Sequence, residues 1–226
     1  MSKPMIDPDA LIAMFESATA KQGEQLRKAV SETTLAALQG RELTLKNIRA
    51  ALKSVSEAAS LGAAKNAVAG LDPEALLERA VAGMDDALLK AVDANRMALQ
   101  QLVAQGADLR EKHLKKALDD LDKFEDTMFS ALKKTAAGAG APLADAWGQV
   151  LEKMQAAGTL SGARAAGTAE QVAEQMAEQM QSAMRSTRAA SLRAAQALAE
   201  SYTAMVSGVL IGMSDALQAK APPKKK

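Results

Sequence analysis

The residues able to do chemistry are few and poorly clustered. His113 is the single histidine of the 226-residue chain, and it stands beside Lys112, Lys115 and Lys116. General-base catalysis by an imidazole needs a pocket and an orienting carboxylate, and a histidine metal site needs further ligands. The sequence places neither, so a solvated or stripe-edge histidine is expected. There are no cysteines, which removes disulfides, cysteine zinc sites and thiol catalysis. Asp119, Asp120, Asp122, Glu125 and Asp126 come close together, and paired acids can move protons or hold a hard cation. Here the EF-hand spacing and its glycine are missing and lysines are interleaved, with Glu111 before Lys115 and Asp119 before Lys123 in the favourable i,i+4 order. A solvated face of mixed charge is expected. Gly138-Ala-Gly-Ala-Pro142 lacks the strand before and the Lys-Ser/Thr after that define a phosphate loop, so it reads as a hinge. No catalytic, cofactor-binding or metal-ligating residue is assigned, and a non-enzymatic role is expected.

Contact with a partner surface is the remaining use for distinctive residues. Met176, Met180 and Met184 step by four along one helical face, and methionine adapts to irregular apolar surfaces. They serve equally as filler in a bundle core. Met205, Val209 and Met213 extend the candidate face further along the chain. Glu170, Glu174 and Glu178 precede Arg185, Arg188 and Arg193, an order that complements the helix dipole and sets bases beside an apolar stripe, as in interfacial helices. The basic tail Lys224, Lys225 and Lys226 could reach nucleic acid or another anionic partner, or act only as a solubilising terminus. With a net charge of +1, the chain as a whole favours neither.

The elements that must position these residues are helices. The hydrophobic share of 48% is ordinary, but aromatics are only 2% and alanine dominates; such residues favour helix yet bury little area each. Strand periodicity and hairpin turns are missing. Asp7-Pro8 and Asp72-Pro73 are start signals. The expected class is all-α: long amphipathic helices in an elongated bundle or coiled coil, with a disordered basic tail. Residues 1–70 read as a helical hairpin, its first helix running from Pro8 to about Gln39 and its second from about Thr44 to Ala69. Residues 71–137 read as one central helix, because the apolar beat from Leu77 to Leu132 meets no proline. Roughly 60 residues at 1.5 Å each would give a rod of about 90 Å. Asn95 and Gly106 fall within its stripe; a buried Asn there would fix register, and a drifting stripe would leave it at the margin. Residues 138–167 read as a Gly/Ala hinge with a short helix, residues 168–219 as a last long helix, and residues 220–226 as the tail. No apolar run approaches the ~20 residues of a spanning helix, and Met1 to Asp9 shows no secretory signal.

An Asp7-Pro-Asp-x-Leu-Ile-x-Met-Phe15 start, long Ala-, Gln- and Met-rich helices, the lack of cysteine and the tail Ala219-Lys-Ala-Pro-Pro-Lys-Lys-Lys226 together resemble the phasins, proteins associated with polyhydroxyalkanoate granules. The resemblance implies no catalytic residues and no cofactor. It implies a cytoplasmic protein at the storage-granule surface that self-associates as a homo-oligomer when free. Histone-like members carry repeated basic tails, and this chain has one short cluster. The rival expectation is a coiled-coil module that scaffolds a helical protein partner.

Overall fold

The computed structural model describes residues 7–19, 22–38, 43–66, 71–106 and 112–183, and near the C-terminus 201–202, 205–206, 208 and 210–211. All regular structure among them is helical: α1 (Pro8–Glu16), α2 (Gly23–Leu38), α3 (Leu45–Lys65), α4 (Pro73–Ala104), α5 (Lys112–Asp122), α6 (Phe124–Gly138), α7 (Ala141–Ala157) and α8 (Leu160–Ala183). The start signals act as read. The Asp7 carboxylate accepts from Ala10 N at 3.1 Å, that of Asp72 from Glu74 N at 3.0 Å, and the Thr44 hydroxyl from Asn47 N at 3.3 Å, each satisfying an orphan amide of a first turn.

The stops differ from the expectation. The helix expected from Pro8 to Gln39 is two helices, because Thr19 and Gln22 form half of a capping box. The Gln22 side chain accepts from the Thr19 amide at 3.0 Å and from its hydroxyl at 2.9 Å, which begins a new helix. The second helix ends at Lys65 and not at Ala69, because Asn66 leaves helical geometry. Its side-chain Nδ2 donates to the carbonyls of Phe15 (2.7 Å), in the last turn of α1, and of Ala18 (3.3 Å), just past it.

The continuous central rod is also corrected. α4 stops at Ala104, and Gly106 takes a left-handed φ of 88°, a backbone state natural to glycine and a common helix terminator. A second break at Lys123 separates α5 from α6. Helical periodicity survives both breaks because each piece turns its apolar face to the same core. The hinge after the rod is shorter than expected: α6 runs through Gly138 and α7 starts at Ala141. Gly162 and Gly167, expected in a loose connection, lie inside α8, which starts at Leu160 and not Thr168.

The helices enclose one continuous core. α4 packs against α2, α3, α7 and α8, and α3 against α1, α2, α4, α6 and α7. Alanine is as frequent as leucine among the buried apolar residues, and Trp147, Phe15 and Phe124 are the largest fully buried side chains. Glycine brings two helix pairs close together. A Cβ on Gly62 would lie 2.4 Å from the Phe15 Cβ and 2.7 Å from the Ile12 carbonyl, and one on Gly83 would lie 2.5 Å from the Arg27 carbonyl. Gly83→Ala should therefore destabilise by about 1–3 kcal/mol through overpacking. Gly148→Ala, at an exposed helical site with open space around it, should stabilise by up to about 1 kcal/mol. Urea midpoints of the two variants check both signs.

Candidate functional site: the α8 seam

α8 lies along one side of the bundle on α4, α5 and α6. Its buried positions, Ser161, Ala165, Thr168, Ala169, Val172 and Met176, form a narrow stripe, and the rest of the helix is largely exposed. Among its described side chains Val172 and Met176 are the large buried ones, each contributing about 1.5–3 kcal/mol.

The start of α8 is held by two carboxylates from other helices. Asp85 of α4 accepts from Leu160 N (3.0 Å), Ser161 N (3.0 Å) and the Ser161 hydroxyl (2.5 Å). Glu125 of α6 accepts from Thr159 N (3.0 Å) and its hydroxyl (3.1 Å). The Thr159 hydroxyl in turn accepts from Gly162 N at 2.9 Å. The first amides of the helix are thus satisfied, and negative charge sits at the positive end of its dipole. Hydrogen bonds to ionised groups contribute about 1.5–3 kcal/mol each, so these anchors match the apolar stripe in weight. Gly158, just before them, has a φ of 70°. A Cβ at Gly162 would meet the Thr159 hydroxyl at 2.6 Å and the Glu125 carboxylate at 2.7 Å.

Met176 of the methionine ladder is 2% exposed and belongs to the core of this chain. Met180 lies on α8, its side chain outside the described positions, and Met184 falls outside the described residues. Beyond α8, Tyr202, Val206 and Leu210 are buried by a step of four, and Met205 is half-buried against the same core. Val209, Met213 and the tail lysines Lys224, Lys225 and Lys226 lie outside the described residues. Asn95 is inside the stripe at 1% exposure. Its side-chain oxygen accepts a short hydrogen bond from the Tyr202 hydroxyl, so a polar pair ties the C-terminal segment to α4.

The acidic run on α5 and α6 divides. Asp120 pairs with Lys116 at 2.8 Å on the surface, and Glu125 turns inward to α8. Among the described residues no group of three or more acids or histidines is arranged to hold a metal ion. The side chain of His113 is outside the described positions.

Other polar anchors fix the remaining helices. Arg27 of α2 makes a two-pronged pair with Asp86 of α4 at 2.6 and 2.8 Å; that hydrogen bonding raises the guanidinium pKa against the opposing effect of burial. Lys153 of α7 lies between Glu74, at 2.6 Å, and Glu78, and the hydrogen bonds it donates to both push its pKa above the ordinary lysine value. The Trp147 indole donates to Ser60 (3.1 Å), Ser60 donates to the Ser56 carbonyl (2.8 Å), and Ser56 shares a hydrogen bond with Thr135 (2.8 Å). None of these pairings follows from helical periodicity. Asp85-Asp86, a doublet of acids within an otherwise apolar beat, is the one local signal that could have pointed to two of them.

This geometry defines an all-α bundle whose outer helix is clamped by carboxylates and small residues. Sequence comparison places it further: residues 1–219 match the Family of unknown function (DUF6781), and the chain belongs to that family. No curated protein and no solved structure matches it.

Tyr202→Phe should destabilise the protein by about 1–3 kcal/mol, because it removes one partner of a buried polar pair. Adding Asn95→Leu should recover part of the loss. A double-mutant cycle by urea unfolding measures the coupling.

Proposed function

We propose that this protein is a non-enzymatic, phasin-like surface protein that coats polyhydroxyalkanoate granules with the apolar faces of its helices and self-associates when free. The observation that carries the reading is the nature of the core. It is assembled from alanine-rich helices joined by short breaks, and the helices packed around α4 each keep a solvated opposite face. Such helices can exchange a neighbouring helix for an apolar surface without stranding polar groups. Little area is buried per residue, so adsorption depends on total helix length and on several copies acting together. Among the described residues no helix is long and apolar enough to cross a membrane, and the proposed contact is interfacial.

The candidate contact residues are those of the C-terminal limb, Met176, Met180, Met184, Met205, Val209 and Met213. Met176 and Met205 now face the bundle interior, so contact with the granule requires that limb to move. A fluorescent fusion should concentrate on granules in a polymer-accumulating host, and purified protein should sediment with amorphous polyhydroxybutyrate particles. Diffuse fluorescence in polymer-loaded cells would reject the granule assignment. Recovery of one stoichiometric protein partner in its place would support the scaffold reading.

A further inference from the structure

Among the described helices, the strongest amphipathic segregation does not belong to those at the centre of the bundle. α5 places Leu114, Ala117 and Leu121 on its buried side and keeps Lys112, Lys115, Lys116, Asp119 and Asp122 exposed. Its principal neighbour is α8, with a smaller contact to α6. The chain breaks on both sides of it, at left-handed Gly106 and at Lys123. α8 is thus the main described neighbour of the α5 stripe, and the buried positions of α8 are mostly small residues. Its starting end is held by the Asp85 and Glu125 carboxylates, immediately after left-handed Gly158.

We infer that α8 is a hinged cover that turns at Gly158, that Asp85 and Glu125 form the clasp holding it closed, and that opening it delivers the α5 stripe to the apolar polyester surface. This rests on the granule reading for its last step only. The hinge and clasp stand on the hydrogen bonds themselves. When the cover opens, Leu114, Ala117 and Leu121 exchange the side of α8 for polymer, and the lysines of α5 remain in water, as an interfacial helix requires. The anchors give the closed state its orientation, and the small-residue seam keeps the free-energy gap to the open state within the range of local rather than global unfolding.

The test uses the full-length protein and hydrogen–deuterium exchange read by peptide. Asp85→Asn with Glu125→Gln removes both charges at nearly constant shape. Gly162→Ala keeps both carboxylates but crowds the Glu125 side of the clasp, since its Cβ would meet the Thr159 hydroxyl at 2.6 Å and the Glu125 carboxylate at 2.7 Å. Each should speed exchange about tenfold or more in 112–122 and 160–178 and leave 45–65 unchanged. Acceleration spread over all helices, or confined to none, in both variants would overturn the cover. Sedimentation with amorphous polyhydroxybutyrate particles is measured in parallel. If the cover gates adsorption, both variants should be retained severalfold more than the natural sequence. Selective exchange with unchanged retention of a protein that does bind would overturn gating and leave the granule assignment standing. Selective exchange with no retention of any form would overturn the granule assignment and uphold the cover.

Discussion

Helix α4 carries apolar residues around most of its circumference, from Leu76 and Leu77 through Met84, Leu88 and Val92 to Leu102 and Val103. A helix with a single buried stripe can rest on one neighbour. α4 must be covered from several sides, or leave leucine and valine in water at about 25 cal/mol for each Å² exposed. The bundle answers this requirement with α2, α3, α7 and α8 around α4. α1 is added over α3, and α5 and α6 follow from the chain's return path.

Alanine packing leaves one problem open. Small side chains allow close approach but discriminate poorly between adjacent registers, since shifting one alanine past another loses little contact. Buried and half-buried polar pairs supply the discrimination. Arg27–Asp86 fixes α2 on α4, Ser56–Thr135 fixes α3 on α6, Trp147–Ser60 fixes α7 on α3, and the Asp85 and Glu125 carboxylates fix α8. Each has a wrong-register cost: a polar group left without its partner, most severe for the buried Ser56–Thr135 and Trp147–Ser60 pairs. Specific glycines do the same by steric means, since Gly62 and Gly83 mark the points where α1 and α2 cross their neighbours most closely.

Helix class and the starts of α1, α3 and α4 were legible because their signals are local. Asp-Pro and Thr44 caps act within one turn, and apolar steps of three and four reveal which residues turn inward. Breaks were less legible. The rod from Leu77 to Leu132 looked continuous because periodicity reports direction toward a core and not chain continuity, so the breaks at Gly106 and Lys123 left no mark in it. The anchors were hidden for a different reason: Asp85 and Ser161 are 76 residues apart, and an acid on a charged helix gives no hint of a partner that distant. Asn95 is the intermediate case. Its place in the stripe was visible, and its partner Tyr202 was not, because that pairing belongs to the tertiary fold alone.

The position of Trp147 has a practical consequence. It is the only tryptophan in the chain, fully buried in α7 and bonded through its indole nitrogen to Ser60 of α3, on elements other than α5 and α8. Its emission therefore reports the inner bundle alone. A change at the outer helices leaves its surroundings apolar and its hydrogen bond made, whereas loss of the inner bundle hydrates the ring and shifts its light to the red. One natural fluorophore thus separates rearrangement of the periphery from collapse of the centre, and the lack of cysteine leaves any position free for a second, thiol-attached dye.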